Sequence, residues 1–258
     1  MTIPIQTAVE RLMEARSTRR AVAPLSETDS SLTIEHAYAI QDALRAEFER
    51  RGERPIGWKL AFTGPSAQAT LGVKEPAAGF LLPGQYASGA EVPLSGFAGL
   101  GVEVEVAFRM RTKLVGPGVT AATAALAVEG AMAALELPDF VFSGTPRAAD
   151  FIANSIHARA IALGSPLTPL RGLDLALEGV VYEHNGEIVG THTAAEVMGN
   201  PLNALAWLAN HLETRGLALK PGDLVISGSI SKILRPRAGD TIRARFTRIG
   251  SVSIKVVE

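Results

Sequence analysis

The sequence predicts an α+β fold with helices first and most strands after, and three observations predict it. Apolar residues recur at a helical period through the N-terminal segment. From Pro55 onward, strand-like runs are cut by Gly and Pro. The dipeptide Asn185-Gly186 then sits between two such runs as a hairpin turn. A chain of 258 residues, 47% hydrophobic and 20% charged, suits one large domain or a main domain with an appendage. We expect a helical and extended part over residues 1–75 and a β-rich core over 76–258.

Residues 4–20 carry a weak amphipathic pattern. Thr33 is placed to cap a helix running to Arg50, with Ile34, Ala37, Ile40, Leu44 and Phe48 near a 3.6-residue period and Gly52 at its end. Strands are expected over 56–62, 79–82 and 102–110. An alanine-rich helix is expected from Thr120 to Ala134, then a short strand around Leu135. Residues 179–184 and 187–193 read as the two arms of the hairpin. Pro201 starts a helix to Arg215, and strands follow over 223–230, 241–246 and 251–257.

Composition removes several classes of function. The net charge is −1 and the basic residues are scattered, which argues against nucleic acid and anionic membrane as partners. With no cysteine there is no disulfide, thiolate nucleophile or zinc–thiolate site. The N-terminus lacks a signal-peptide core. The most apolar stretch, 119–137, is interrupted by Glu129 and Glu136 and reads as a buried helix, so a cytoplasmic location is expected.

Chemistry centres on carboxylates. Glu103 and Glu105 alternate with Val102, Val104 and Val106, so a strand puts both on one face about 7 Å apart, where they can share a hard divalent ion. A solvated sheet face gives the same alternation. Glu136 lies in the apolar run Ala-Leu-Glu-Leu-Pro and needs either a metal or a buried cation. Lys59, in Gly-Trp-Lys-Leu-Ala-Phe, either pairs with a carboxylate, serves as an acid, base or anion anchor, or snorkels to the surface. The five histidines show no metal-ligand spacing. No nucleophile elbow, phosphate loop or dinucleotide fingerprint is present.

The order of these pieces carries a resemblance. Ala37-Tyr38 with Gln41, Gly57 to Thr63, Leu71-Gly72-Val73 to Pro76, Gly79-Phe80-Leu81, Val102 to Glu105, Leu135-Glu136-Leu137, Asn154-Ser155, Pro221-Gly222-Asp223, Ser227-Gly228, Gly239-Asp240 and Ile249 to Ser253 follow one another along nearly the whole chain. The sequence resembles the 2-keto-4-pentenoate hydratase / 4-oxalocrotonate decarboxylase group of the fumarylacetoacetate-hydrolase-like superfamily. The resemblance implies a mixed β-roll or barrel core with a small N-terminal helical part. It implies Glu103, Glu105 and Glu136 as ligands of Mg²⁺ or Mn²⁺, Lys59 as the active-site lysine, and Phe80, Leu81, Ser155 and Ser227 as substrate-contacting positions. It implies 2-hydroxy-dienoates and their 2-oxo tautomers, from meta-cleavage of aromatic compounds, as substrates. It also implies a homo-oligomer or a complex with a sister enzyme.

The chain departs from that group in places. Glu75-Pro76-Ala77-Ala78-Gly79 lacks the Asp that follows the proline, Pro138-Asp139-Phe140 lacks an arginine, and Asn154-Ser155 replaces an Asp-Asn pair. His157 is an ionisable group the group's pattern does not call for, a catalytic candidate or a satisfied structural histidine. A metal-dependent lyase is expected, a hydratase ahead of a decarboxylase because hydration is the commoner activity, with Ala77 arguing the other way. Hydrolysis of a C–C bond in a β-diketo acid and an inactive structural subunit are the alternatives.

Overall fold

The computed structural model describes residues 2–258. Among the described residues, seven α-helices and twelve strands follow in chain order. Three helices come first: α1 (Ile5–Thr18), α2 (Leu25–Thr28) and α3 (Ile34–Arg50). Thr33 caps α3 by accepting a hydrogen bond from the His36 amide, as its position before an apolar-periodic run requires. Next come β1 (Gly57–Ala61), α4 (Pro65–Leu71), β2 (Ala77–Leu81), β3 (Gln85–Ala87), β4 (Ala90–Pro93), β5 (Glu103–Met110), α5 (Ala121–Ala127) and β6 (Val128–Leu137). The chain continues through α6 (Ala148–Ala153), β7 (Ala160–Leu163), β8 (Gly179–His184), β9 (Glu187–Thr193), α7 (Pro201–Glu213), β10 (Leu224–Ile226), β11 (Thr241–Phe246) and β12 (Ser251–Val257).

The strands form a curled seven-stranded sheet, β2-β1-β10-β5-β6-β7-β3, and a five-stranded sheet, β4-β12-β11-β8-β9. This is the mixed β-roll expected above. Asn185 and Gly186 take φ of 54° and 85° at the β8–β9 turn, the two left-handed residues that a tight hairpin needs. β10, from late in the chain, inserts between β1, to which it is parallel, and β5, to which it is antiparallel.

One expectation is overturned. The helix foreseen from Thr120 to Ala134 ends at Ala127, and the chain turns directly into β6, the longest strand. β6 lies between β5 and β7 and is buried on both faces. A strand buried on both sides is continuously apolar, which a periodicity reading cannot separate from a buried helix. The alanines favour helix locally, but the ladder to β5 along nearly the whole strand and the ladder to β7 over Ala134–Leu137 outweigh that preference. A smaller difference has a local cause. The strand expected over 223–230 stops at Ile226 because Gly228 adopts φ 109°, although Ser227 and Ile230 still donate to Val106 and Val104 of β5.

Among the described residues no helix is long and apolar enough to cross a membrane. The N-terminal helices pack on the β-rich part through α6. Gln41 of α3 donates to the Ala78 and Ile152 carbonyls, and Arg16 of α1 reaches Asn154 and Ala158.

Candidate metal centre and its cleft

The register of β5 against β6 sets Glu103 directly opposite Glu136, and Glu105 is two residues along the same face of β5. One oxygen from each of the three carboxylates lies within 4.8 Å of the others. Glu105 and Glu136 are fully buried and Glu103 partly so. The solvated-face alternative therefore does not describe this strand. The face shared by Glu103 and Glu105 continues through Ala107 into a small apolar cluster with Ile226, Met132 and Ala134.

Lys59 arrives from β1, with β10 between it and β5. Its Nζ lies 2.6 Å from Glu136 Oε2, an ion pair not aligned as a hydrogen bond, and donates to the Ile156 carbonyl at 3.3 Å. Burial disfavours the Lys59 ammonium, but Glu136, Glu103 and Glu105 outweigh it and raise its pKa. Burial raises the carboxyl of Glu105 well above its ordinary range, helped by Glu136. Burial likewise raises Glu136, with Lys59 opposing. The Gly228 amide donates to Glu105 Oε2 at 2.7 Å. A Cβ on Gly228 would stand 2.4 Å from Thr63 Oγ1, so only glycine brings this amide to the carboxylate.

This arrangement fits a hard divalent cation. Oε1 of Glu105 and Oε1 of Glu136 are buried without a hydrogen-bond partner among the described residues, an expensive state that a cation relieves. Three carboxylates against one ammonium leave two negative charges, the charge one divalent ion balances. The donors are all oxygen, the set that Mg²⁺ and Mn²⁺ take.

A cleft of about 690 Å³ opens over the centre, lined by Lys59, Glu103 and His157. Phe62, Phe140 and Phe151 give it apolar walls, and His192 and Glu196 border it from the β9 side. Of the other expected substrate contacts, Phe80 and Leu81 are buried in the core. The Ser155 hydroxyl is taken up by β2, donating to Phe80 O and accepting from Phe80 N. Ser227 is fully buried with its hydroxyl unpartnered. None of these four lines the cleft. Asp139 accepts from the Ala98 and Gly99 amides with Oδ1, so that oxygen holds a loop.

No local sequence signal marks the turn that carries Ile156 and His157. Ser155, Ile156 and His157 take φ of 50°, 52° and 60° in succession, a left-handed turn costing about 1–2 kcal/mol per residue. Such strain persists where surrounding contacts over-determine it, and it concentrates at functional sites. Here Gly79 lets the turn press on β2, since a Cβ there would lie 2.6 Å from Ser155 O. The turn aims the Ile156 carbonyl at Lys59 and sets the His157 ring among Phe140, Phe142 and Phe151, with centroids 4.8, 5.5 and 5.1 Å away.

Comparison with known proteins places this architecture. The model of the fumarylacetoacetate (FAA) hydrolase C-terminal region matches residues 60–257. The chain is 33% identical over 259 residues to a 2-hydroxyhexa-2,4-dienoate hydratase of Comamonas testosteroni, covering 98% of each chain. It is 34% identical over 234 residues to a 4-oxalocrotonate decarboxylase of Pseudomonas putida, covering 88% of this chain and 86% of that one. Among solved structures, the 4-oxalocrotonate decarboxylase of Pseudomonas putida G7, complexed with magnesium and adipate, superposes with a TM-score of 0.95 at 27% identity, covering 98% and 97% of the two chains.

Proposed function

The chain belongs to the fumarylacetoacetate hydrolase family, and from that premise we propose that it is a divalent-metal-dependent lyase that hydrates a 2-hydroxy-2,4-dienoate to a 4-hydroxy-2-oxo acid. The observation that carries the reading is the convergence of Glu103, Glu105 and Glu136 beside Lys59 at the floor of a cleft large enough for a small organic acid. The three glutamates would hold Mg²⁺ or Mn²⁺. When bound, that ion supplies positive charge that offsets the negative charge developing on a 2-oxo acid.

The chain's own residues do the rest. Lys59, an ammonium fixed between Glu136 and the Ile156 carbonyl, anchors the substrate carboxylate or passes a proton at Nζ. Glu103, the least buried of the three carboxylates, is the one that meets the cleft. Phe62, Phe140 and Phe151 form apolar walls against which the carbon chain of the substrate packs. The exposed Ile188 and Val189 on the edge strand β9 support self-association through that edge, because an apolar edge strand offers unpaired backbone groups to another chain.

A second reading, decarboxylation of a vinylogous 2-oxo diacid, is favoured by Ala77, a buried alanine where the family resemblance implies an acid for a hydratase. Purified protein with Mg²⁺, given 2-hydroxypenta-2,4-dienoate and 2-oxohex-3-enedioate in parallel, separates the two. Faster hydration of the first supports the hydratase. Faster CO₂ release from the second replaces it with the decarboxylase, and turnover of neither removes both.

A further inference from the structure

We infer that His157 is an uncharged imidazole whose Nε2–H donates a hydrogen bond to the hydroxyl oxygen of the 4-hydroxy-2-oxo acid, with its tautomer set by Asn154 and Arg16. The identity of the acceptor rests on the hydratase reading above; the donor rests on geometry alone.

Arg16 is buried. Its Nε donates to Asn154 Oδ1 at 2.8 Å, Nη2 to Asn154 O at 2.8 Å and Nη1 to Ala158 O at 3.0 Å. A guanidinium has donors and no acceptor, so the Asn154 side chain must turn its oxygen toward Arg16. Its NH₂ then faces the other way, where His157 Nδ1 lies 3.2 Å off. Two donors cannot share that contact. Nδ1 therefore accepts, and in a neutral ring the proton sits on Nε2.

Nε2 is buried and makes no aligned hydrogen bond among the described residues, although the Asp139 backbone lies near enough to the ring to favour its charged form. Three phenylalanine rings surround the imidazole, and the ring lines the cleft. A buried donor with no aligned partner is costly, and the cleft that His157 lines is a space from which an oxygen can come. Burial, with the Arg16 and Lys59 charges, holds the His157 pKa down at about 3, so the ring stays neutral. With the Nδ1 lone pair occupied by Asn154, His157 is not a general base. It is a fixed donor that recognises an oxygen at the apolar end of the cleft. Asn154 and Arg16 are positioning residues for it, and the left-handed turn carries His157 into place beside the Ile156 carbonyl that holds Lys59.

Nitrogen NMR of ¹⁵N-labelled protein at neutral pH tests this, with His157→Phe assigning the resonances. A protonated Nε2 and a bare Nδ1 are expected; a proton on Nδ1, or a cationic ring, overturns the inference. Asn154→Asp turns an acceptor toward Nδ1 and should move the proton there, which a purely packing role for Asn154 would not do. With Mg²⁺ present, 4-hydroxy-2-oxopentanoate should shift the Nε2 resonance and 2-oxopentanoate, lacking the hydroxyl, should not. Calorimetric binding of the hydroxy acid without that shift overturns the inference. If neither acid binds, the hydratase reading falls and takes the acceptor with it, while the ring-nitrogen spectrum still decides the donor. His157→Phe, whose ring suits the phenylalanine cage, should keep its fold and lose roughly tenfold or more in kcat/KM with 2-hydroxypenta-2,4-dienoate.

Discussion

Lys59 Nζ stands 2.6 Å from Glu136 Oε2, and both side chains are sealed from solvent. The pair joins β1 to β6 across β10 and β5. A lone charge left here has no water to turn to. Lys59→Met removes the cation and keeps the carboxylates, so Mn²⁺ binding should persist while turnover falls by about two orders of magnitude or more. Lys59→Arg should not restore it, because the planar guanidinium cannot occupy the ammonium's place between Glu136 and the Ile156 carbonyl. Calorimetry with Mn²⁺ and steady-state rates check both, and normal turnover in Lys59→Met removes Lys59 from the mechanism.

Glu105 is placed by the Gly228 amide. Glu105→Gln keeps the shape and removes one of the charges available to a cation. Mn²⁺ affinity should drop by roughly tenfold to a hundredfold. Melting without metal should hold steady or rise, since a carboxyl whose ionised form burial and Glu136 disfavour has been replaced by a neutral amide. Unchanged Mn²⁺ binding would contradict the assignment of Glu105 as a ligand.

Gly79→Ala tests the left-handed turn. The added methyl meets Ser155 O at 2.6 Å, and both partners are backbone, so something must shift. A loss of about 1–3 kcal/mol is expected by denaturant unfolding. The loss in kcat should be larger than the fraction unfolded explains, because the same turn sets both Lys59 and His157. Loss of stability with undiminished kcat would separate the turn from catalysis.

His211 ties stability to pH. Its ring stacks on Trp207 at 4.7 Å, and burial with the Arg215 charge lowers its pKa from 6.5 to about 4. The fold favours the neutral ring, so the unfolded chain binds the extra proton. This contribution is complete above pH 6.5 and is lost as the pH falls toward 4. His211→Phe should flatten the decline of unfolding free energy in that window by some part of about 1.4 kcal/mol per pH unit, the ring being only partly buried. Equal slopes for the two proteins would refute it. Other groups that titrate there are common to both and cancel in the difference.

What the sequence made legible follows a physical division. α3 and the β8–β9 hairpin were readable because a cap, a period and an Asn-Gly turn are local signals. β6 was not, because its partners on both sides lie far away in the chain. The short strands β3, β4 and β7 and the helix α4 carried too few residues for a pattern to emerge. At the site, the Glu103/Glu105 alternation was visible. That Glu136 would face Glu103, and that Lys59 would be Glu136's partner, depended on strand register and strand order. Gly228 stood in view within Ser-Gly-Ser, but its work is done by a backbone amide, which leaves no mark in residue chemistry. The turn at 155–157 was hidden for the opposite reason, since Ser, Ile and His all disfavour the conformation they adopt.

The insertion of β10 between β1 and β5 also dictates an order of events in biosynthesis. Lys59 and the glutamates emerge from the ribosome long before Leu224–Ile226, yet the strand that holds β1 against β5 is that late segment. A nascent chain carries all four side chains without owning the centre they form. Capture of an ion thus marks the closing of the whole sheet and, by mass action, rewards the completed chain over every shorter one.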